Sequence, residues 1–146
     1  MAAAQPVPPP GRTDPLASLL ARVAHRLNRE TEAILGGSGL SLEQWRVLDL
    51  LADRDGHPMS EIAAHVMVPP PTLTKIVDRL VDNALVHRRV DETDRRRVLV
   101  LATDRGLDLY EQLTPAVTRV ELDLTAELGQ QATTQLVQLL RRITTR

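Results

Sequence analysis

Apolar residues recur at helical spacing over most of the chain, which predicts a protein built mainly from amphipathic helices. The first stripe follows Asp14 and Pro15, where Asp14 is expected to cap a helix and Pro15 to occupy its first position. This helix is expected to end in the glycine-rich break at 36–39. Its apolar positions are Leu16, Leu19, Leu20, Val23, Leu27 and Ile34.

Three shorter helical patterns follow in the middle of the chain. Ser41 and Gln44 fit a capping box at the start of the first, which buries Trp45 and stops near 55–58. The second covers about 60–65. The third covers about 72–83, after prolines 69–71, which suit a turn and the opening of a helix. A short helix, a tight turn and a helix bearing small polar and basic side chains form the pattern of a helix-turn-helix.

Two short strands are predicted next, at 86–90 and 98–101, with a polar loop at 91–97 between them. A hairpin with a basic tip after a helix-turn-helix describes a wing. Thr103 is then expected to cap a long helix that reaches Leu128 and bends at Pro115, and a final helix follows Gly129. The apolar stripes of the end helices exceed what one domain of this size can cover, so we expect them to cover one another in a homodimer.

Composition narrows the class of protein. A length of 146 residues suits one domain, and the absence of cysteine excludes disulfides, thiolate metal sites and a thiol redox switch. No apolar run approaches the roughly 20 residues that span a bilayer. The stretch 1–11 lacks the apolar segment of a signal peptide, so we expect a cytoplasmic protein with no membrane partner.

Charge is unevenly distributed on a chain whose net charge is only −1. Between 69 and 106, eight Lys and Arg residues accompany six Asp and Glu residues, whereas the remainder carries ten against thirteen. The basic groups are concentrated at Arg88, Arg89 and Arg95–Arg97. Because the field that attracts DNA is local, a nearly neutral chain can present a basic DNA-binding face.

Two stretches of the sequence resemble the MarR (multiple antibiotic resistance regulator) family of winged helix-turn-helix regulators. Residues 70–80, Pro-Pro-Thr-Leu-Thr-Lys-Ile-Val-Asp-Arg-Leu, are similar to the family's recognition helix. Residues 94–106, Asp-Arg-Arg-Arg-Val-Leu-Val-Leu-Ala-Thr-Asp-Arg-Gly, are similar to its wing, whose usual form is D-x-R followed by L-T-x-x-G. The resemblance extends over roughly 16–143, and both stretches stand at the expected separation.

Three departures from the family pattern affect local structure. Ala102 stands where leucine is usual before Thr103, a change that affects only packing. Ala84 replaces a glycine, so we expect the recognition helix to end without the easiest left-handed cap. Pro69 and Pro71 stand where serine is common, so the helix is expected to lose a hydroxyl cap.

The resemblance implies a mainly α fold with a small β-hairpin wing. A winged helix-turn-helix core at 41–106 would be flanked by dimerisation helices at 14–36 and 107–146, after a disordered Pro/Ala-rich tail at 1–13. A homodimer would place two recognition helices in successive major grooves of a pseudo-palindromic double-stranded operator. The implied function is a repressor relieved by a small phenolic or anionic ligand, with no cofactor.

The candidate DNA contacts lie on the recognition helix and the wing. Lys75 can contact guanine or a phosphate, and Thr74 a phosphate or a thymine methyl group. Arg96 is the wing residue expected to use the negative potential of a narrow minor groove. The recognition-helix candidates are Pro70, Pro71, Thr72, Thr74, Lys75 and Arg79, and the wing candidates are Asp94, Arg95, Arg96 and Arg97.

Other charged groups near the interface are candidates for ion pairs as well as for contacts with DNA. By resemblance, Asp94 pairs with an arginine and fixes the wing. Arg79, Arg88 and Arg89 either contact the DNA backbone or pair with a nearby carboxylate, namely Asp78, Asp82 or Asp94.

A ligand pocket is implied, by resemblance, between the dimerisation helices and the winged core. The polar or aromatic groups expected nearest to it are His25, Asn28, Arg29, Trp45 and Arg46. The alternative role for Trp45 is that of a core anchor. His57, Glu61 and His65 are spaced by four, but Pro58 places His57 outside the helix, so no metal site is expected.

Two other functions compete with that of a DNA-binding regulator. One is a ligand-sensing or protein-interaction module on the same fold that has lost DNA binding, which the prolines and Ala84 would favour. The other is an enzyme, but the sequence contains no G-x-S-x-G, phosphate-cradling glycine loop or dinucleotide fingerprint, and no catalytic residue is assigned.

Overall fold

The computed structural model describes residues 14–144, so the tail predicted at 1–13 lies outside the described residues. Six helices and three strands follow one another in the described part of the chain. Their bounds are α1 Leu16–Leu35, α2 Leu42–Leu51, β1 His57–Pro58, α3 Met59–Val66, α4 Pro70–Asp82, β2 Val86–Val90, β3 Val98–Ala102, α5 Asp104–Thr125 and α6 Gly129–Thr144. Short 3-10 turns, Gly36–Ser38 and Ala126–Leu128, follow α1 and α5. The predicted mainly α, winged helix-turn-helix fold is confirmed.

The wing is a three-stranded antiparallel sheet in the order β1-β3-β2, one strand more than the sequence predicts. In β3, Val100 lies opposite His57 of β1 on one side and Arg88 of β2 on the other. A strand of two residues has no alternating pattern, so only its pairing with β3 reveals it.

The start of α1 differs from the prediction. The helix begins at Leu16, Pro15 is its N-cap residue, and no side chain caps it. The Asp14 carboxylate instead accepts a hydrogen bond from the Arg22 guanidinium at 2.6 Å, because a charge-assisted bond with arginine competes well with a backbone cap. The predicted capping box of α2 is present, with Gln44 N–H donating to Ser41 Oγ at 3.1 Å and Ser41 N–H to Gln44 Oε1 at 2.9 Å.

The core lies between α2, α3, α4 and the sheet. Its fully buried side chains come from every one of these elements, so the two helices of the helix-turn-helix are fixed against the wing by a common aliphatic cluster. The largest are Leu35, Leu48, Leu51, Ile62, Leu73 and Leu80.

The end of α4 is a Schellman motif built around an alanine. Ala84 N–H donates to Val81 O at 2.8 Å and Leu85 N–H to Leu80 O at 2.9 Å. Ala84 has a φ of +57°, so α4 does end in a left-handed residue, although this residue is not glycine, the easiest left-handed cap. The two hydrogen bonds and the burial of Leu85 against the core hold alanine in a conformation that glycine adopts more easily.

Replacing Ala84 with glycine should raise the free energy of unfolding by about 0.5–1 kcal/mol. Relief of the left-handed conformation contributes about 1–2 kcal/mol, and the greater freedom of glycine in the unfolded chain offsets part of it. Chemical denaturation measures the difference. Ala126→Gly is the matched control, since Ala126 ends α5 with a φ of −56° and should instead lose stability. A stability for Ala84→Gly at or below that of the parent would contradict the strain at Ala84.

The junction between the wing and α5 is tightly built. Thr103 Oγ accepts from Gly106 N–H at 3.0 Å, as predicted for a cap, and also donates to Ala84 O at 2.7 Å. Thr103 N–H donates to Leu85 O at 3.0 Å. These bonds place the first turn of α5 directly on the Ala84–Leu85 backbone.

The end helices leave apolar side chains uncovered within one chain. α1 lies against α5, yet Leu16 is 64% exposed, and no residue of α6 is buried among those described. The large exposed apolar residues of these helices and of the turn before α6 are Leu16, Leu19, Leu20, Val23, Leu122, Leu128, Leu136, Val137, Leu139 and Ile143.

Candidate nucleic-acid interface

The recognition helix begins two residues earlier than predicted, at Pro70. Pro69 is its N-cap residue and, as expected from the loss of serine, no side chain caps the helix. A buried stripe of Leu73, Val77 and Leu80 fixes α4 against the core. Its opposite face, which includes the predicted contacts, is therefore exposed.

The polar side chains of that face differ in whether they already form hydrogen bonds or ion pairs within the chain. Lys75 and Arg79 form no side-chain hydrogen bond or ion pair within residues 14–144. Thr74 Oγ donates to Pro70 O at 3.1 Å, so its hydroxyl hydrogen is already used inside the helix. Thr74 therefore keeps an acceptor and a methyl group for other contacts.

The tip of the wing is held by two carboxylates that accept hydrogen bonds from backbone N–H groups. Asp91 Oδ1 accepts from Thr93 N–H at 2.9 Å and from its hydroxyl at 2.7 Å, and these bonds lower the pKa of Asp91. Asp94 Oδ1 accepts from Arg96 N–H at 3.0 Å. The implied pairing of Asp94 with an arginine is wrong for the described chain, because the carboxylate stabilises the turn through the backbone instead.

The three arginines at this tip are exposed. Arg95 and Arg96 have no ion-pair partner among the described residues, and Arg97 lies 3.9 Å from Glu61 of α3. The turn thus presents two unpaired guanidinium groups on a backbone that Asp91 and Asp94 fix. Such groups keep their full attraction for phosphate.

The two arginines of β2, Arg88 and Arg89, differ in whether they form an ion pair. Arg88 donates to Asp78 Oδ1 at 2.7 Å and so joins β2 to α4, which is one of the pairings that the sequence allowed. Arg89, next to it on the strand, is exposed and unpaired within the described range. Of these two residues, Arg89 is the one available to a phosphate.

A charged cluster around β1, an edge strand of the wing sheet, was missed by the sequence analysis. His57 of β1 lies between two carboxylates, with Nε2 at 2.7 Å from Asp53 Oδ2 and Nδ1 at 3.1 Å from Glu61 Oε2. Burial opposes the charged imidazole, but the two hydrogen bonds and the two negative charges outweigh it and raise the pKa of His57. Burial also opposes ionisation of Asp53, yet hydrogen bonds from Asp55 N–H and His57 lower the pKa of Asp53.

Replacing His57 with glutamine should cost more stability at pH 5.5 than at pH 8.5, by up to about 1 kcal/mol for such partly exposed pairs. A raised folded-state pKa means that the stabilisation is complete below the ordinary value of 6.5 and is lost as the pH rises through the folded value. Urea unfolding of both proteins at the two pH values measures this. His65→Gln serves as the control, because His65 is exposed and outside the cluster. An equal loss for His57→Gln at both pH values would disprove the charged pairing.

The five residues predicted for a ligand pocket do not come together within the described chain. Arg46 donates to Asn28 Oδ1 at 3.0 Å and joins α2 to α1. His25 and Arg29 lie on another side of α1, where they line a groove of about 550 Å³ with Arg22 and Arg26. His25 and Arg29 are four residues apart and so share one face of α1, whereas residue 28 is rotated by about 100° from residue 29.

Trp45 lies in the core and also at the edge of a cavity. It is 6% exposed and stacks on Tyr110 of α5, with 5.0 Å between ring centroids. Tyr110 donates to Asp49 Oδ1 at 2.8 Å, and burial, reinforced by this bond and charge, raises the pKa of Tyr110. The cavity has a volume of about 300 Å³ and lies between α2 and α5. Its lining is Trp45, Asp49, Tyr110, Thr114, Val117, Thr118 and Glu121.

Residues 14–144 contain neither a candidate metal cluster nor a membrane-spanning helix. No cluster of three or more His, Asp or Glu residues in this range could hold a metal ion, and His65 does not join His57 and Glu61. No helix in the same range is long and apolar enough to cross a membrane.

Sequence comparisons relate the chain to bacterial transcription regulators. The family model described as "MarR family" matches residues 40–98. The chain is 22% identical over 125 residues to the HTH-type transcriptional regulator MhqR of Bacillus subtilis, with 86% of each chain covered. It is 31% identical over 105 residues to the uncharacterized HTH-type transcriptional regulator YwoH of the same species, covering 72% of this chain and 73% of that protein.

Solved structures share the whole architecture. NadR in complex with 4-hydroxyphenylacetate superposes with a TM-score of 0.81 at 26% identity, covering 94% of this chain and 97% of NadR. The transcriptional repressor CouR bound to a 23-mer DNA duplex gives 0.77 at 28% identity, covering 88% and 92%. Apo MarR from Escherichia coli gives 0.77 at 26% identity, covering 90% and 98%.

Proposed function

The chain belongs to the MarR family of transcriptional regulators, and from this premise we propose that it is a homodimeric repressor that binds a pseudo-palindromic operator and leaves it when a small phenolic ligand binds. Membership makes it a DNA-binding regulator and not an enzyme. The finer statements concern its own residues, its assembly and its effector.

One observation carries the assignment of the DNA-binding residues. Lys75 on the exposed face of α4 and Arg95 and Arg96 at the wing tip are cations without partners in the described chain. Arg88, a neighbouring cation on β2, is instead neutralised by Asp78. Lys75 and Thr72 read the major groove, Arg96 reaches the minor groove, and Arg89 contacts the backbone. The structure of CouR bound to a 23-mer DNA duplex, at 28% identity, supports double-stranded DNA as the partner.

Selection of binding sites from random duplexes, followed by a salt titration on the winning sequence, tests this function. A dimeric regulator should enrich a palindrome whose half-sites lie about one helical turn, roughly 10 base pairs, apart. Affinity should fall steeply with salt because several phosphates are neutralised. No enrichment, with only weak binding, would favour the alternative of a sensor or interaction module that has lost DNA binding.

The uncovered apolar faces of α1 and α6 support the homodimer. Burying them against a second copy removes from water several leucine side chains that one chain leaves exposed. Leu139→Glu should give a monomer in analytical ultracentrifugation. Val90→Glu, which also changes an exposed apolar residue but on the wing, should remain dimeric. A monomeric parent would disprove this part of the proposal.

The cavity beside Trp45 and Tyr110 supports a phenolic effector. Its volume of about 300 Å³ suits one small aromatic molecule, which can contact the Tyr110 ring and hydrogen bond to Asp49 or Thr114. The NadR complex with 4-hydroxyphenylacetate points to the same ligand class. A ligand wedged between α2 and α5 would change the position of the winged core relative to the end helices and so the spacing of the recognition helices.

Trp45 is the only tryptophan, so its fluorescence reports on this cavity directly. Titration with 4-hydroxyphenylacetate and related phenolic acids should change the fluorescence and release the selected operator over the same concentration range. Phenolic acids that alter neither signal would remove the effector from the proposal and leave the DNA-binding part intact.

A further inference from the structure

The N-terminus of α4 has no free backbone donor. A helix normally begins with four unsatisfied N–H groups, which form a ready site for a phosphate. Here the first three positions, Pro69, Pro70 and Pro71, have no N–H. At the fourth position, Thr72 N–H donates to Pro69 O at 3.0 Å. The end of the recognition helix therefore cannot clamp a phosphate with its backbone.

The surface that replaces these donors is apolar. Pro71 is exposed and lies four residues before Lys75, so both share the outward face of α4, opposite Leu73, Val77 and Leu80. The turn before the helix presents Met67, which is 80% exposed and has a φ of +58°. An exposed methionine in the left-handed region, followed after Val68 by three prolines, is an unusual surface for a contact with charged phosphates.

We propose that Pro71 is a specificity-determining residue that contacts the 5-methyl group of a thymine in the major groove, one helical turn from the base read by Lys75. The inference rests on the proposed DNA-binding function and adds the chemistry of one operator position. The thymine methyl is the only apolar group that a base pair presents in the major groove, so it is the group that a pyrrolidine ring can recognise there. The rigid ring makes this contact without losing side-chain freedom.

Substitution of deoxyuridine for thymine tests the contact, because it removes the methyl group and keeps every hydrogen-bonding group of the base. Each thymine of the selected operator is replaced in turn, and the Kd is measured by fluorescence anisotropy at fixed salt. For the parent dimer, one thymine in each half-site should raise the Kd about fourfold, as expected for one buried methyl group. Replacing both copies should raise it about 15-fold if the half-sites act independently.

The variant Pro71→Ser tests whether Pro71 is the residue that contacts the thymine methyl group. This variant removes the ring and restores a backbone N–H at the second position of the helix, so its ratio of deoxyuridine to thymine Kd should fall to about one. Pro15→Ser is the matched control, since Pro15 is also an exposed proline at the start of a helix and should leave the ratio at about four. Thermal denaturation verifies that both variants are folded.

The outcomes separate the two levels of the proposal. A parent that binds no duplex in a salt-dependent way overturns the proposed function and this inference together. A parent that binds its operator, yet tolerates deoxyuridine at every position or has no thymine in the half-site, overturns only the inference. An unchanged ratio in Pro71→Ser also overturns it, because another residue must then contact the methyl group.

Discussion

Gly106→Ala should lower the free energy of unfolding by about 3 kcal/mol or more, at the upper end of what overpacking produces. A Cβ at this position would overlap the carbonyl oxygen of Leu85. The close approach follows from the bonds of Thr103 to Ala84 and Leu85, which draw α5 onto the backbone between α4 and β2. Since backbone meets backbone, no flexible side chain can move aside, and the wing and the end helices must separate.

Thermal and urea denaturation of the purified variant measure this loss. Gly36→Ala is the matched control, because Gly36 has a φ of −53° and no atom within 4 Å of the added Cβ. That control should be neutral or gain a few tenths of a kcal/mol, about what reduced freedom of the unfolded chain provides. A Gly106→Ala protein as stable as the parent would show that the junction can relax and would contradict the packing described above.

Arg96→Ala should weaken binding to the selected operator by at least about tenfold and leave the dimer intact. Its guanidinium is unpaired, and Asp94 holds its backbone N–H, so the side chain is exposed from a fixed position. Each dimer loses two such contacts, and the potential of a narrow minor groove strengthens each of them. The loss should extend to unrelated sequences, because phosphate and groove-width contacts carry little sequence information.

Anisotropy titrations at several salt concentrations measure the effect of Arg96→Ala. The slope of log Kd against log salt should become shallower than that of the parent, by about 1–2 for the two lost charges. Arg119→Ala is the matched control, since Arg119 has the same charge, is 73% exposed on α5 and lies outside the proposed interface. Parent-like affinity and slope in Arg96→Ala would mean that the wing does not contact DNA.

Lys75→Ala should change sequence preference as well as affinity. Lys75 lies on the exposed face of α4 without a partner in the described chain, where a lysine can bond to guanine O6 and N7. When the site selection is repeated with this variant, the base preference at one position of each half-site should therefore become weaker. An unchanged consensus would limit Lys75 to a phosphate contact.

Local features of the fold were predictable because their causes lie within a few residues. The Ser41–Gln44 capping box and the Thr103 cap each join residues three apart, and the structure contains both. The helical stripes predicted the ends of α3 and α4 to within about two residues, whereas α2 ends at Leu51, several residues before the predicted stop near 55–58. Pro69 and Pro71 also had a local consequence, the missing hydroxyl cap of α4.

Some local predictions were wrong because a second group competed. Asp14 was expected to cap α1, but Arg22, eight residues away, binds its carboxylate. Ala84 shows the same competition without a wrong prediction, because alanine disfavours the left-handed region, yet burial of Leu85 against the core and two backbone hydrogen bonds hold it there. In each case the local preference amounts to about 1 kcal/mol, which one favourable interaction elsewhere can exceed.

By itself the sequence determined the order and type of the main elements, the helix-turn-helix with its wing, and the apolar character of the end helices. Only the tertiary structure decided which cations are neutralised, since the partner of Arg88 is ten residues away. It also revealed the strand at His57, which is too short to show a repeating pattern. It likewise revealed the cavity of Trp45 and Tyr110, two residues that are 65 positions apart along the chain. Hydrophobic periodicity is a short-range property of the chain, whereas pairing and cavity formation depend on which distant side chains the fold brings into contact.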